Sequence, residues 1–224
     1  MPSVTGDTGA DPAMRAWKFL VTGRIAPFGG HTWPAPRSGA PGEWLRFPGR
    51  EIFACRLEDL PWWIAPELWE VELEAPIRAL ETQVAAPAGR LIRQVSAWDA
   101  TALRAYGVAC AERARDLAAE ALTRDGRLEE AQALGRARSM LELCRIARGL
   151  AGDARTRLSA NLAGYVAESS MRASEGAAAA AANIGANAAV MALGDPAVFA
   201  RERAWQAQWI AERAGIASAS VAAV

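Results

Sequence analysis

The sequence predicts an α+β protein: a small, mostly antiparallel β region followed by an alanine-rich helical bundle of four to five helices. Two compositional shifts and one pattern carry that reading. Eleven of the twelve prolines and seven of the nine tryptophans lie at or before Trp98. Alanine runs the other way, with 15 in the first hundred residues and 38 in the remaining 124. Proline is excluded from helix interiors and alanine is the best helix former, so the helices belong to the second part. Within the first part, Trp69, Val71 and Leu73 alternate with Glu70, Glu72 and Glu74, the period of a strand.

Taken in order, residues 1–13 read as a polar, Gly/Pro-punctuated tail without a basic start and apolar run, hence not a secretory leader. That places the chain in the cytoplasm with reduced cysteines. Residues 14–98 form the Trp/Pro-rich β region. Its strands are expected at 14–21, 43–47, 51–56, 67–74 and 89–98, with one helical turn in 57–64. A long loop dense in Gly and Pro, 24–44, separates the first two strands, and long loops in compact domains are often functional.

The helical region is expected over 99–217. Asp99 is placed to cap a first helix to about Leu122, with Leu103, Tyr106, Cys110, Ala114, Leu117 and Ala121 on its apolar stripe. A second helix is expected from Arg127 to about Leu150, with Leu128, Ala131, Leu134, Ala137, Leu141 and Cys144 inward. Asp153 would cap a third segment running to Leu193, with a break near Ser174–Gly176. Gly194, Asp195 and Pro196 read as stop, cap and restart. The last helix would turn Val198, Trp205, Trp209 and Ile216 inward, and 218–224 would fray.

Charge and cysteine arithmetic exclude several functions. The chain carries 25 basic and 25 acidic residues, balanced in both parts, so no basic footprint for nucleic acid exists. The 19 uncharged residues 176–194 are mostly alanine with Asn183 and Asn187 inside, a poor membrane span. Three scattered cysteines and one histidine leave no multi-ligand metal site, and no cofactor motif is present.

Several groups remain as candidates. His31 is the one side chain titrating near neutral pH, able to act as a base or orient a ligand. Trp17, Trp33, Trp44, Trp62, Trp63 and Trp69 either fill a core or wall a pocket for a planar ligand. Adjacent Trp62 and Trp63 cannot both point inward. Lys18, Arg24 and Arg56 could orient an anion. Glu70 and Glu72 could serve as acid or base. Cys55 beside Arg56 is either a nucleophile or, by strand alternation with Phe53, a core residue. Interleaved arginines at 136, 138, 145, 148, 155 and 157 suit a solvated face or an acidic partner.

Some stretches are similar to known families. Phe53-Ala54-Cys55, Trp62/Trp63, Val71-Glu72-Leu73 and Leu91-Ile92-Arg93 resemble the landmarks of an uncharacterised small α+β domain of bacterial and phage proteins. That resemblance implies a fold and no reaction. Residues 109–121, 125–134 and 197–213 resemble immunity-protein helical domains of toxin systems, which implies binding without catalysis. The Cys55-Arg56-x-x-Asp59-Leu60 step is similar in layout to ADP-ribosyltransferase-like domains. That layout implies Glu70 or Glu72 as the catalytic carboxylate, with His31 and tryptophans around a nicotinamide, although the Ser-Thr-Ser step is missing.

Three functional expectations follow. The first is a non-catalytic, immunity- or resistance-like binding protein with an aromatic cleft in or beside 17–69, taking a protein or a small planar or anionic ligand. The second is a metal-independent, transferase-like enzyme using His31 or a carboxylate of 67–74. The third is a structural homo-oligomer built through helix 176–193.

Overall fold

The computed structural model describes residues 13–150, 163–164, 167–168, 171 and 175–216. Residues 1–12 of the expected tail 1–13, the expected tail 218–224, the Asp153 cap, Arg155, Arg157, and Ser174 of the break expected near Ser174–Gly176 lie outside the described residues.

The fold is α+β. Among the described residues seven strands come first: β1 (Met14–Leu20), β2 (Leu45–Arg46), β3 (Ile52–Ala54), β4 (Glu67–Leu73), β5 (Arg78–Ala79), β6 (Val84–Ala86) and β7 (Ala88–Gln94). They form two antiparallel sheets, ordered β1-β4-β7-β2 and β3-β6-β5. Trp17 and Cys55 exchange backbone hydrogen bonds of 2.9 and 2.7 Å, which tie β1 to the end of β3 and join the sheets. A 3-10 turn, Leu57–Trp62, follows β3.

Strand β4 shows why the pattern reads as it does. Trp69, Val71 and Leu73 are buried within the β region, alternating with the glutamates. A register shift between Glu70 and Val71 marks a bulge. Leu68 looks the other way. With Phe19, its direct partner across β1, it joins the core shared with the helices. The sheet is therefore covered on both faces at this end.

Five helices are described: α1 (Ala100–Arg124), α2 (Leu128–Gly135), α3 (Met140–Gly149), α4 (Glu175–Leu193) and α5 (Ala197–Ala214). Asp99 caps α1 by accepting from the Ala102 amide at 2.8 Å. Asp195 accepts from the Ala197 amide at 2.9 Å at the start of α5. An aromatic line runs from sheet to bundle: Phe19 to Trp98 at 5.5 Å, Trp98 to Tyr106 at 6.1 Å and Tyr106 to Trp209 at 5.4 Å. Alanine in α4 serves close packing on α1 and α5, with Ala181, Ala182, Ala186 and Ala189 fully buried. A Cβ at Gly185 would lie 3.7 Å from the Cys110 carbonyl oxygen, a measure of that approach.

The structure corrects the sequence reading in three places. The helix expected over 127–150 is two helices. Gly135 closes α2, and Ser139 caps α3 by accepting from the Glu142 amide at 3.1 Å. The break resets the helical phase, so Leu141 is exposed while Leu143 is buried; Leu128, at the first position of α2, is exposed as well. Strands β5 and β6 were not expected, because Val84–Ala86 is three residues long and carries no aromatic. On α5 the buried face includes Glu202, Arg203 and Gln206, while Trp205 and Trp209 are half-buried.

Candidate functional site

Three loops and one helix enclose a cavity of about 1220 Å³. The 21–33 loop supplies one wall, the stretch from Phe47 to Cys55 a second, and the turn Trp62–Ala65 a third. Lys18 and Phe19 of β1 lie on its surface, and Ala179 of α4 adds the helical contribution. Each wall has a local cause. Glu67 holds the 21–33 loop by accepting from the amides of Gly23 at 2.9 Å and Arg24 at 3.2 Å, and from Trp69 Nε1 at 2.9 Å. Arg24 Nε donates to the Trp33 carbonyl at 3.1 Å. Arg56 grips Asp59 with Nε at 2.7 Å and Nη2 at 3.0 Å, and donates to the Leu80 carbonyl at 3.1 Å. That clamp fixes the 3-10 turn against the 75–83 loop, where Trp63 Nε1 donates to the Thr82 carbonyl at 2.7 Å.

The lining is mainly apolar, and its exposed aromatics mark the rim. Phe28 is 87% exposed, Trp62 41% and Phe53 38%. Phe28 meets Trp63 edge-on at 5.9 Å. Exposed aromatics gathered around one concavity are what a ligand or partner site requires and what a closed core avoids.

The charged groups on the wall are Lys18, Arg50 and Glu51. Glu51 is taken by Arg78, Oε2 to Nη2 at 2.5 Å, and this bond holds its carboxyl below the ordinary range. Lys18 is partly buried. Its Nζ donates to the Phe53 carbonyl at 2.6 Å and stands 5.7 Å from the Trp33 ring centroid. No described carboxylate pairs with it. Loss of hydration pushes its pKa below the ordinary lysine value. His31 packs on Phe47 at 4.6 Å. Desolvation first, then the positive charge of Lys18, lowers its pKa, so its imidazole is neutral at neutral pH. Its Nε2 and the Nε1 of fully buried Trp33 have no hydrogen-bond partner, two polar groups left unsatisfied on the same wall.

Of the residues singled out from sequence, Lys18, His31, Trp33, Trp62 and Trp63 come together on this cavity. Cys55 also lines it, and the others lie elsewhere. Arg24 and Arg56 stand behind the wall as structural clamps. Trp44 meets the guanidinium of Arg90 at 4.6 Å and that of Arg46 at 5.9 Å from its ring centroid. Glu70 pairs with Arg15 at 2.6 Å and Arg93 at 2.7 Å, and Glu72 with Arg90 at 2.5 Å. Trp17 and Trp69 pack into the cores as their strand positions imply. Cys55 is buried on the wall, and desolvation pushes its thiol up to about 12, which leaves no nucleophilic thiolate. Phe53, expected to be buried beside it, instead forms part of the rim. Phe28, Phe47, Arg50 and Ala179 were not singled out. Only Phe28, an aromatic among glycines, carried a usable local signal.

No family model, curated protein or solved structure matches the chain. The geometry is therefore the whole basis for a functional reading. Among the described residues, no group of three or more His, Cys, Asp or Glu side chains could hold a metal ion. No described helix is long and apolar enough to cross a membrane.

Proposed function

We propose that this chain is a small-molecule binding protein whose cavity takes a planar, largely apolar ligand bearing one anionic or strong acceptor group. The observation that carries the reading is the composition of the wall. Aromatic rings surround the space, and the local charge is cationic because Lys18 has no carboxylate while Glu51 is neutralised by Arg78. Planar rings bury well between Trp33, Phe47 and Trp63, and a neighbouring cation orients the acidic end. The volume suits a ligand of drug size or a somewhat larger one.

The test uses 8-anilinonaphthalene-1-sulfonate, an aromatic probe with one anionic group, on the folded protein. Saturable fluorescence enhancement with quenching of tryptophan emission is expected. Lys18→Met should weaken binding about tenfold, the worth of one charge-assisted hydrogen bond. Absence of saturable binding, or identical affinity in Lys18→Met, overturns the reading.

A further inference from the structure

We infer that Lys18 is a covalent attachment site, forming an imine with an aromatic aldehyde seated in the cavity. The inference rests on the binding reading above and adds a reaction to it.

Four observations support the attachment. Lys18 lines an aromatic-walled space large enough for a ring system, and its Nζ stands 5.7 Å from the ring centroid of Trp33 on the same wall. Its one described hydrogen bond is to the Phe53 carbonyl, an acceptor that leaves the nitrogen lone pair free once the amine is neutral. No described carboxylate pairs with it to lock it as an ammonium, whereas thirteen ion pairs elsewhere in the described residues satisfy arginines. Desolvation further favours the neutral amine, the form that attacks carbonyls. A partly buried, desolvated lysine without a described counter-ion is a cost to folding, and a chain with 24 arginines and one lysine places its single primary side-chain amine here.

The step balances without a further reactant. The Nζ lone pair adds to the aldehyde carbon, and the carbonyl oxygen becomes the hydroxyl of a carbinolamine. Loss of water follows: both amine hydrogens leave with that oxygen, and the C=N bond forms. Hydrolysis reverses it.

The protein is incubated with 2-naphthaldehyde and cyanoborohydride, which reduces an imine to a stable secondary amine, and the adduct is mapped by peptide mass. The α-amino group is an internal competitor. An α-amine has a lower ordinary pKa than a lysine and should win against an ordinary lysine. The inference requires the reverse, with Lys18 labelled at least about tenfold faster than the α-amine. It also requires that 8-anilinonaphthalene-1-sulfonate slow labelling at Lys18 and leave the α-amine unaffected. Lys18→Arg should retain no adduct at position 18. Labelling confined to the α-amine, in a protein that still binds the sulfonate probe, overturns the covalent site and leaves the binding reading intact. Failure of both probes overturns both. Labelling of Lys18 undiminished by the sulfonate overturns the placement of the reaction in the cavity.

Discussion

The guanidinium of Arg203 lies 4.0 Å from the ring centroid of Trp62, so a helix near the C-terminus holds a rim residue of the cavity 141 positions away. Arg203 is buried on α5. It donates to Gln206 Oε1 at 3.0 Å and to Asn183 Oδ1 at 2.9 Å, while Gln206 Nε2 donates to the Ala182 carbonyl at 2.8 Å. One polar network thus bolts α4 and α5 to the 3-10 turn. Arg203→Ala would strand both amide acceptors and remove the cation from the ring. A loss of about 2–3 kcal/mol in stability is expected, measured by urea denaturation. Arg203→Lys should not rescue it, because an ammonium cannot reach both amides and stack on the indole.

Lys18→Met should do the opposite to stability while weakening binding of the sulfonate probe. A desolvated ammonium without a carboxylate disfavours the folded state, and methionine fills similar space without charge. The thermal midpoint at pH 7 should rise relative to wild type as affinity for the sulfonate probe falls. A lower midpoint would show that the hydrogen bond to Phe53 outweighs the desolvation.

His31 predicts a pH dependence. Its folded pKa is lowered, so the unfolded chain binds the proton more readily. The associated stability is fully present above the ordinary value near 6.5 and is lost as pH falls below it. Urea midpoints of wild type and His31→Gln, measured between about pH 7.5 and 5, should diverge, with wild type falling more steeply. Parallel curves would refute the assignment.

Gly42 is held against the backbone. A Cβ there would stand 2.6 Å from the Pro34 carbonyl oxygen, while its amide donates to the Leu91 carbonyl at 2.8 Å. Gly42→Ala should cost about 1–3 kcal/mol, since carbonyl and strand must part to admit a methyl group. A neutral result in denaturation would mean that the loop can move without loss.

The three cysteines are free and buried, and the thiols of Cys55 and Cys110 are pushed up to about 12 by desolvation. Alkylation of these two by iodoacetamide at pH 8 should be on the order of a thousandfold slower in the folded protein than in urea. Fast labelling of Cys55 in the native state would revive it as a nucleophile.

Some of this was legible in the sequence because it depends on short-range rules. Alternation over 67–73 made β4 a strand, Asp99 could cap only what followed it, and Gly194 to Pro196 could only end one helix and start another. Each is a matter of periodicity or of a backbone group satisfied within a few residues. The interruption between Gly135 and Ser139 was masked in the sequence by the arginines and alanine between them, which are good helix formers, although glycine closing α2 and serine capping α3 are local stop and start signals.

The sequence by itself determined the division into a β part and a helical part, since proline and alanine act on the backbone locally. It also determined that the chain has one histidine, one lysine and a surplus of tryptophan to distribute. Only the tertiary structure decided which tryptophans became core and which became walls. Trp69 sits in the sheet core and Trp44 beside arginines, whereas Trp33, Trp62 and Trp63 meet Lys18 and His31 around one cavity. That selection depends on the Trp17–Cys55 bridge, the Glu67 anchor and the reach of Arg203 across the fold. Such contacts join residues tens to more than a hundred positions apart, and no local preference encodes them.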